Sequence, residues 1–165
     1  MNIKKYLLLV SGFMVIFQAG LAQNNLTVTD RSTITFDMTA ILAAGNHTDI
    51  VVDNTQWINY SFNLNPADPY ASISVAIASG IIPPGMEIYL QAGYYNGSSR
   101  GKAGRPTGKI KLGNIPNVLI NDIGSINTGH GKHQGHQITL SIEIVDYSLL
   151  QPGDYILNLQ YTLKQ

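Results

Sequence analysis

The stretch Ile58-Asn59-Tyr60-Ser61-Phe62-Asn63-Leu64 alternates without a break, with Ile58, Tyr60, Phe62 and Leu64 on one side of an extended chain and Asn59, Ser61 and Asn63 on the other. Successive side chains of a strand point to opposite faces, so period two marks a strand with one buried face. The same alternation recurs on both sides of it. Upstream, Ile34, Phe36 and Met38 oppose Thr33, Thr35 and Asp37. Downstream, Ile73, Val75 and Ile77 oppose Ser72 and Ser74, and Ile88 and Leu90 oppose Glu87, Tyr89 and Gln91. Ile138, Leu140, Ile142 and Ile144 then oppose Gln137, Thr139, Ser141 and Glu143, and Tyr155, Leu157, Leu159, Tyr161 and Leu163 form a last long run. No helical stripe longer than a turn or two interrupts the pattern, which predicts an all-β protein.

Turn signals separate the runs: Ala44-Gly45-Asn46, Asn65 to Pro69, Pro83-Pro84-Gly85, Asn96 to Ser99, and Gln151 to Asp154. Their spacing predicts about seven to nine antiparallel strands, which bury their apolar faces most simply as an immunoglobulin-like or pilin-like sandwich of two sheets. A small closed barrel is the alternative, and a transmembrane barrel is disfavoured by short strands without aromatic ends. The Gly-, Ser- and base-rich stretch Gly93 to Gly113 reads as one long hairpin loop.

Before the first run stand Lys4 and Lys5, an apolar run of twelve residues from Tyr6 to Phe17, and a polar close from Gln18 to Ala22. This is the order of a cleavable signal peptide, with Gly20 and Ala22 at the small-residue positions of the cleavage site. The run is shorter than the ~20 residues that span a bilayer. Residues 1–22 are therefore expected to be a leader and 23–165 a single domain, exported to the periplasm, cell surface or medium. No cysteine follows the cleavage site or occurs anywhere in the chain, which excludes a lipidated cysteine anchor and any disulfide. Core packing and backbone hydrogen bonds must hold the fold.

Without Lys4 and Lys5, eight basic residues face ten acidic ones, a balance that gives no general attraction to nucleic acid. Bases concentrate late: Arg100, Lys102, Arg105, Lys109 and Lys111 form a candidate patch for an anionic ligand, directly after Tyr94 and Tyr95. Tyr89, Tyr94 and Tyr95 are candidates for stacking on sugar, as are Trp57 and Tyr70; Tyr60 alternates with core residues and is expected to be buried. His130, His133 and His136 stand three apart in a Gly-rich segment, and imidazoles bind zinc, copper or nickel. Against a metal site, an extended loop sends residues three apart to opposite sides, and the expected reading is a flexible, solvated tip. Gly97-Ser98-Ser99-Arg100-Gly101 matches the G-x-S-x-G nucleophile motif, but flanks that cannot open a helix deny Ser99 the turn the motif requires. No phosphate loop, H-E-x-x-H or calcium loop is present, so no enzyme, cofactor or catalytic residue is expected.

The end of the chain carries Leu150, Gly153 and Tyr155 in the spacing Leu-x-x-Gly-x-Tyr, followed by alternating apolar residues to Leu163. It resembles the last two strands of small secreted β-sandwich proteins of Gram-negative bacteria, fimbrial or pilin-like subunits and spore coat protein U-like domains, although it lacks the cysteine pair many of these carry. The resemblance implies a structural role for Gly153 in a tight turn and for Tyr155 at the sandwich corner. It also implies assembly with itself or other envelope proteins by strand addition. The arm around Leu26 and Val28 is a candidate donor strand, although an ordinary first strand of its own domain is the favoured expectation. The expected function is an exported structural or adhesive protein acting through surface contacts. The alternative is a periplasmic binding module for carbohydrate or metal, with surface polysaccharide as a further candidate partner.

Overall fold

A computed structural model of the chain describes residues 7–14, 24–29, 34–37 and 50–165; the expected cleavage site at Gly20 and Ala22 and the turn Ala44 to Asn46 lie outside them. The described residues form twelve strands: β1 Leu7–Met14, β2 Asn25–Thr29, β3 Ile34–Asp37, β4 Ile50–Phe62, β5 Ala71–Ser79, β6 Met86–Ala92, β7 Ala103–Pro106, β8 Lys109–Lys111, β9 Asn117–Ile123, β10 Ile126–Asn127, β11 His136–Ile144 and β12 Asp154–Lys164. They make two sheets, one in the order β3-β1-β12-β5-β9-β7 and the other β10-β4-β11-β6-β8 with β2 added to β4. The architecture is an all-β sandwich and not a closed barrel. Strands outnumber the expected seven to nine in part because the presumed loop Gly93 to Gly113 contains β7 and β8, which pair with β9 and β6.

The alternation read from the sequence becomes the core. Ile58, Tyr60, Phe62, Ile88, Leu90, Ile138, Leu140 and Ile142 of the second sheet, and Ile73, Val75, Ile120, Leu157, Leu159 and Tyr161 of the first, are all buried in one apolar cluster. Each fully buried aliphatic side chain contributes about 1.5–3 kcal/mol relative to exposure. Across β4 and β11 the register moves from Ile138 opposite Gln56 to Leu140 opposite Asp53, so β4 carries one extra residue at Asn54 and Thr55. The Asp53 carboxylate caps this bulge, accepting from the Thr55 amide at 3.0 Å and the Thr55 hydroxyl at 2.9 Å. A one-residue bulge reverses which side chains face the core. It allows Ile58, Tyr60 and Phe62 to face inward while Val52 is exposed.

Among the described strands every pairing but one is antiparallel. β1 runs parallel to β12, from Leu7 opposite Asp154 to Met14 opposite Tyr161, and β3 pairs on its other side. This is the apolar run expected to be the leader. An extended segment there satisfies backbone N–H and C=O groups that an edge would leave open. The arm Asn25–Thr29, in turn, is an ordinary strand of its own domain, pairing from Asn25 opposite Ser61 to Thr29 opposite Trp57.

The C-terminal corner is built around Tyr155. Its ring packs half-buried against the core and its hydroxyl donates to the Gln151 carbonyl at 3.2 Å, tying the strand start to the segment before it. Gly153 departs from its expected role: its φ is not left-handed, and an added Cβ would meet only the Tyr155 ring at 3.5 Å, an ordinary contact. The bend at this corner does not depend on glycine.

Tyr161 is 2% exposed, and among the described residues its hydroxyl is the buried side-chain polar atom without a hydrogen-bond partner. A buried unsatisfied group costs about 1–3 kcal/mol, whereas removing it leaves the packing of the ring intact. Tyr161→Phe is expected to raise unfolding stability by about 1 kcal/mol, read as a higher urea midpoint at unchanged slope.

Candidate functional site

One end of the sandwich gathers most of the side chains singled out in the sequence. Three segments meet there: the loop 93–102 between β6 and β7, the loop 128–135 between β10 and β11, and the β4 residues Trp57 to Tyr60. The Asn96 amide donates to the Gly135 carbonyl at 2.9 Å and the Gly93 amide to the Gln137 carbonyl at 2.8 Å, which lays the first loop along the second.

The His-bearing loop is not a floppy tip. Ser61 pairs with both Asn25 of β2 and Asn127 of β10, and Ile58 with both Val28 of β2 and His136 of β11, so β10 and β11 lie end to end on the same side of β4. Between them the chain swings out over the outer face of the sheet. Asn59, 1% exposed, fastens it there. Its side-chain amide donates to the Gln134 carbonyl at 2.6 Å and the Gly131 carbonyl at 3.3 Å, and its oxygen accepts from the Gly131 amide at 3.2 Å. The Thr29 hydroxyl adds a bond to the same oxygen from β2. Under the loop lies Trp57, 5% exposed, with the His133 ring edge-on at 5.3 Å between centroids. Trp57 is therefore part of the packed interior of this layer and not a sugar platform. His133 holds a left-handed φ of +63°, a conformation costly to a side chain with a Cβ. Gly135 holds +80°, and a Cβ there would collide with the Ile58 carbonyl, so glycine is required.

His136 stands on the opposite face, completely buried. Its Nδ1 lies 2.8 Å from the Gly93 carbonyl, and its Nε2 lies 3.0 Å from the Tyr60 hydroxyl and 3.1 Å from the Ala103 carbonyl. The Tyr60 ring stacks on it at 5.9 Å and an interplanar angle of 9°, and the Tyr95 ring lies at 6.0 Å. Tyr60 also donates to the Ala103 carbonyl. Burial lowers the His136 pKa from its ordinary value, against the opposing pull of the Gly93 and Ala103 carbonyls. Burial likewise raises that of the Tyr60 hydroxyl, with the Tyr95 hydroxyl adding to the shift.

The three histidines are thus divided between both faces and solvent: His130 exposed, His133 over Trp57, His136 inside with both ring nitrogens engaged. Among the described residues no group of three or more His, Asp or Glu side chains is placed to hold a metal, which corrects the candidate triad. The alternation explains it, since β4 and its covering loop send these side chains to different sides of one layer.

The basic residues are also divided. Lys109 and Lys111 lie on β8 at the outer face of the second sheet, paired with Glu143 and, at 2.6 Å, with Glu87. Lys109 crosses the Tyr89 ring at 4.3 Å, and the Tyr89 hydroxyl donates to Glu87. Lys111 and Tyr89 hold the Glu87 carboxyl below its ordinary value, and the Glu87 bond pushes Tyr89 up to about 12. The two lysines separate the carboxylates of Glu87 and Glu143, which stand directly opposite across β6 and β11. Their charge is spent within the sheet face. Arg105 belongs to β7 in the other sheet and Lys102 stands just before that strand, its ammonium 3.2 Å from the Tyr70 ring centroid. Arg100 is exposed in the loop before it. The five bases do not form one patch.

Of the remaining candidate stacking rings Tyr89, Tyr94 and Tyr95, Tyr89 is half-buried beneath Lys109 and Tyr95 turns toward His136, its hydroxyl accepting from the Ser99 amide at 3.1 Å. Tyr94 remains, 84% exposed. Ser99 lies in an extended loop that runs into β7 with no helix after it, so the G-x-S-x-G spacing lacks its strand-to-helix turn. No helix among the described residues is long and apolar enough to cross a membrane.

His136 had a signal in the sequence: extending the alternation Ile138, Leu140, Ile142 back one step puts it on the core face. Asn59 had none, because the loop carbonyls it binds lie more than 70 residues away.

Comparison with protein-family models, with curated proteins and with solved structures returned no match.

Removing the Asn59 amide strands a buried amide and two carbonyls, so Asn59→Ala should cost about 2–3 kcal/mol. The emission of Trp57, the single tryptophan, should move to longer wavelength as the loop lifts. The lowered His136 pKa fixes the sign of a pH effect: the unfolded chain binds a proton near pH 6.5 that the folded chain refuses. This contribution is present in full above about pH 6.5 and is lost as the pH falls toward the folded value. The urea midpoint is expected to drop between pH 7.5 and 5, and to drop less in His136→Gln.

Proposed function

We propose that the chain is an exported structural or adhesive protein of the cell envelope, acting through surface contacts and assembling by strand addition at the edge of β12. The observation that supports this is the pairing of Leu7–Met14 with Asp154 to Tyr161. The residues covering that edge are the ones read as the core of a removable leader. Processing after Ala22 would take β1 away, leave eight residues of β12 without their neighbour, and leave β3 on the far side of the gap. With strands about 4.8 Å apart, the gap between β12 and β3 is about 10 Å, the width of one inserted strand. Backbone bonds along such an edge supply affinity, and the alternating side chains supply specificity.

The chain's own arm is not a free donor, because Asn25–Thr29 is paired with β4. The incoming strand is then a segment of a second copy or of another envelope protein. Carbohydrate binding stands as a second reading, favoured by the exposed Tyr94 ring on the loop 93–102.

Export is tested by expressing the full chain in a Gram-negative host and weighing the secreted form: a mass beginning at Gln23 is expected, and retention of the uncut chain overturns it. For assembly, residues 23–165 are expected to elute from a sizing column as oligomers. A lysine-flanked peptide of residues 7–14 should return them to monomers by occupying the edge, and its scrambled version should not. A folded monomer that ignores the peptide overturns strand addition.

A further inference from the structure

We infer that His136 is an acid-sensitive latch that holds the loop 93–102 against the end of the sandwich and releases it on protonation. Three contacts of one imidazole tie together three parts of the chain: the end of β6 through Gly93, the start of β7 through Ala103, and β4 through Tyr60. Gly93 and Ala103 are the two roots of the loop, so the ring clasps both of its ends. At its first end the loop is held to residues 135–137 by the main-chain bonds of Gly93 and Asn96, and at its second end Lys102 bonds to Gly124 and Ser125. Between these anchors the imidazole is the contact that joins the two roots to each other and to β4.

Proton accounting shows why the clasp responds to acid. A carbonyl can only accept, so the contact with Gly93 puts a proton on Nδ1. In the neutral ring Nε2 is then an acceptor, and the single Tyr60 hydroxyl proton is shared between Nε2 and the Ala103 carbonyl. A second ring proton would complete the bond to Ala103, but it places a full positive charge in a site closed to water. Among the described residues, the titratable groups that face the ring are Tyr60 from β4 and Tyr95 from the loop, beside the carbonyl oxygens of Gly93 and Ala103. No carboxylate of the described residues hydrogen-bonds to it. A buried charge without a counter-charge is the costly case, and solvent is where it is relieved. Protonated His136 leaves the interior, and with it go both roots of the loop. Tyr94 and Arg100 ride on that loop, so acid remodels the surface at this end while the β4·β11 and β5·β12 pairings remain.

Amide hydrogen exchange on residues 23–165, or on the full chain, tests the latch, with rates corrected for the intrinsic effect of pH. Between pH 7.5 and 5.0 the amides of 93–103 are expected to lose at least tenfold in protection while those of β5 and β12 keep theirs. His136→Gln should abolish the pH dependence. The wild-type His136 ring resonance should titrate below the ordinary histidine value, with its midpoint matching the loss of protection; this readout stands if the variant fails to fold. Protection that is unchanged at pH 5.0, that does not follow the His136 resonance, or that keeps its pH dependence in folded His136→Gln overturns the latch.

Discussion

Five consecutive residues of β4, Gln56 to Tyr60, are buried, which a strand with one wet face cannot achieve. The second sheet meets this constraint by covering β4 twice. On the inner side Ile58 and Tyr60 meet the first sheet; on the outer side the excursion 128–135 closes over Trp57 and Asn59. The rest of this end depends on that double cover. It places His136 at the inner margin of the same layer and sets the loop 93–102 along the strand that leads away from it. An asparagine suits the outer position because one planar amide both donates to and accepts from main chain, leaving no buried group unpaired.

Polar groups elsewhere follow a different economy. On the open face of the second sheet, Lys109, Lys111, Glu87, Glu143 and Tyr89 form a compact network in water, where each pair adds little to stability. Its effect is local. Lysines on the short edge strand β8 discourage edge-to-edge pairing, and opposing carboxylates on neighbouring strands are kept apart. The contrast with β12 is sharp, since its residues Asp154 to Tyr161 are covered by backbone pairing with β1 instead.

Much of the fold was legible in the sequence because period two is a local property. Ile58 to Phe62, Ile73 to Ile77, Ile138 to Ile144 and Leu157 to Tyr161 all turn inward as the alternation requires. The corner at Tyr155 was legible for a similar reason, its hydroxyl reaching only four residues back. What was not legible depends on distant partners. Short edge strands such as Lys109–Lys111 exist because β6 offers a free edge, and their own composition looks like loop. Trp57 reads as an exposed aromatic until a segment more than 70 residues away is laid over it, and the triplet of histidines reads as a ligand set until that same segment is seen to separate them.

The placement of β10 and β11 along one side of β4 carries a consequence for how this surface changes over time. Eight residues, 128–135, stand where β4 offers two, between Ser61 paired with Asn127 and Ile58 paired with His136. For β4 the partner is in effect one strand with a detour, and the pairs on either side hold the register independently of the detour's content. Asn59 grips only main-chain atoms of Gly131 and Gln134. The exposed side chain of His130 takes no part in that grip. The excursion is a cassette: its exposed letters can be rewritten by drift or by a designer grafting a short epitope, while the backbone path and the sandwich beneath stay as they are.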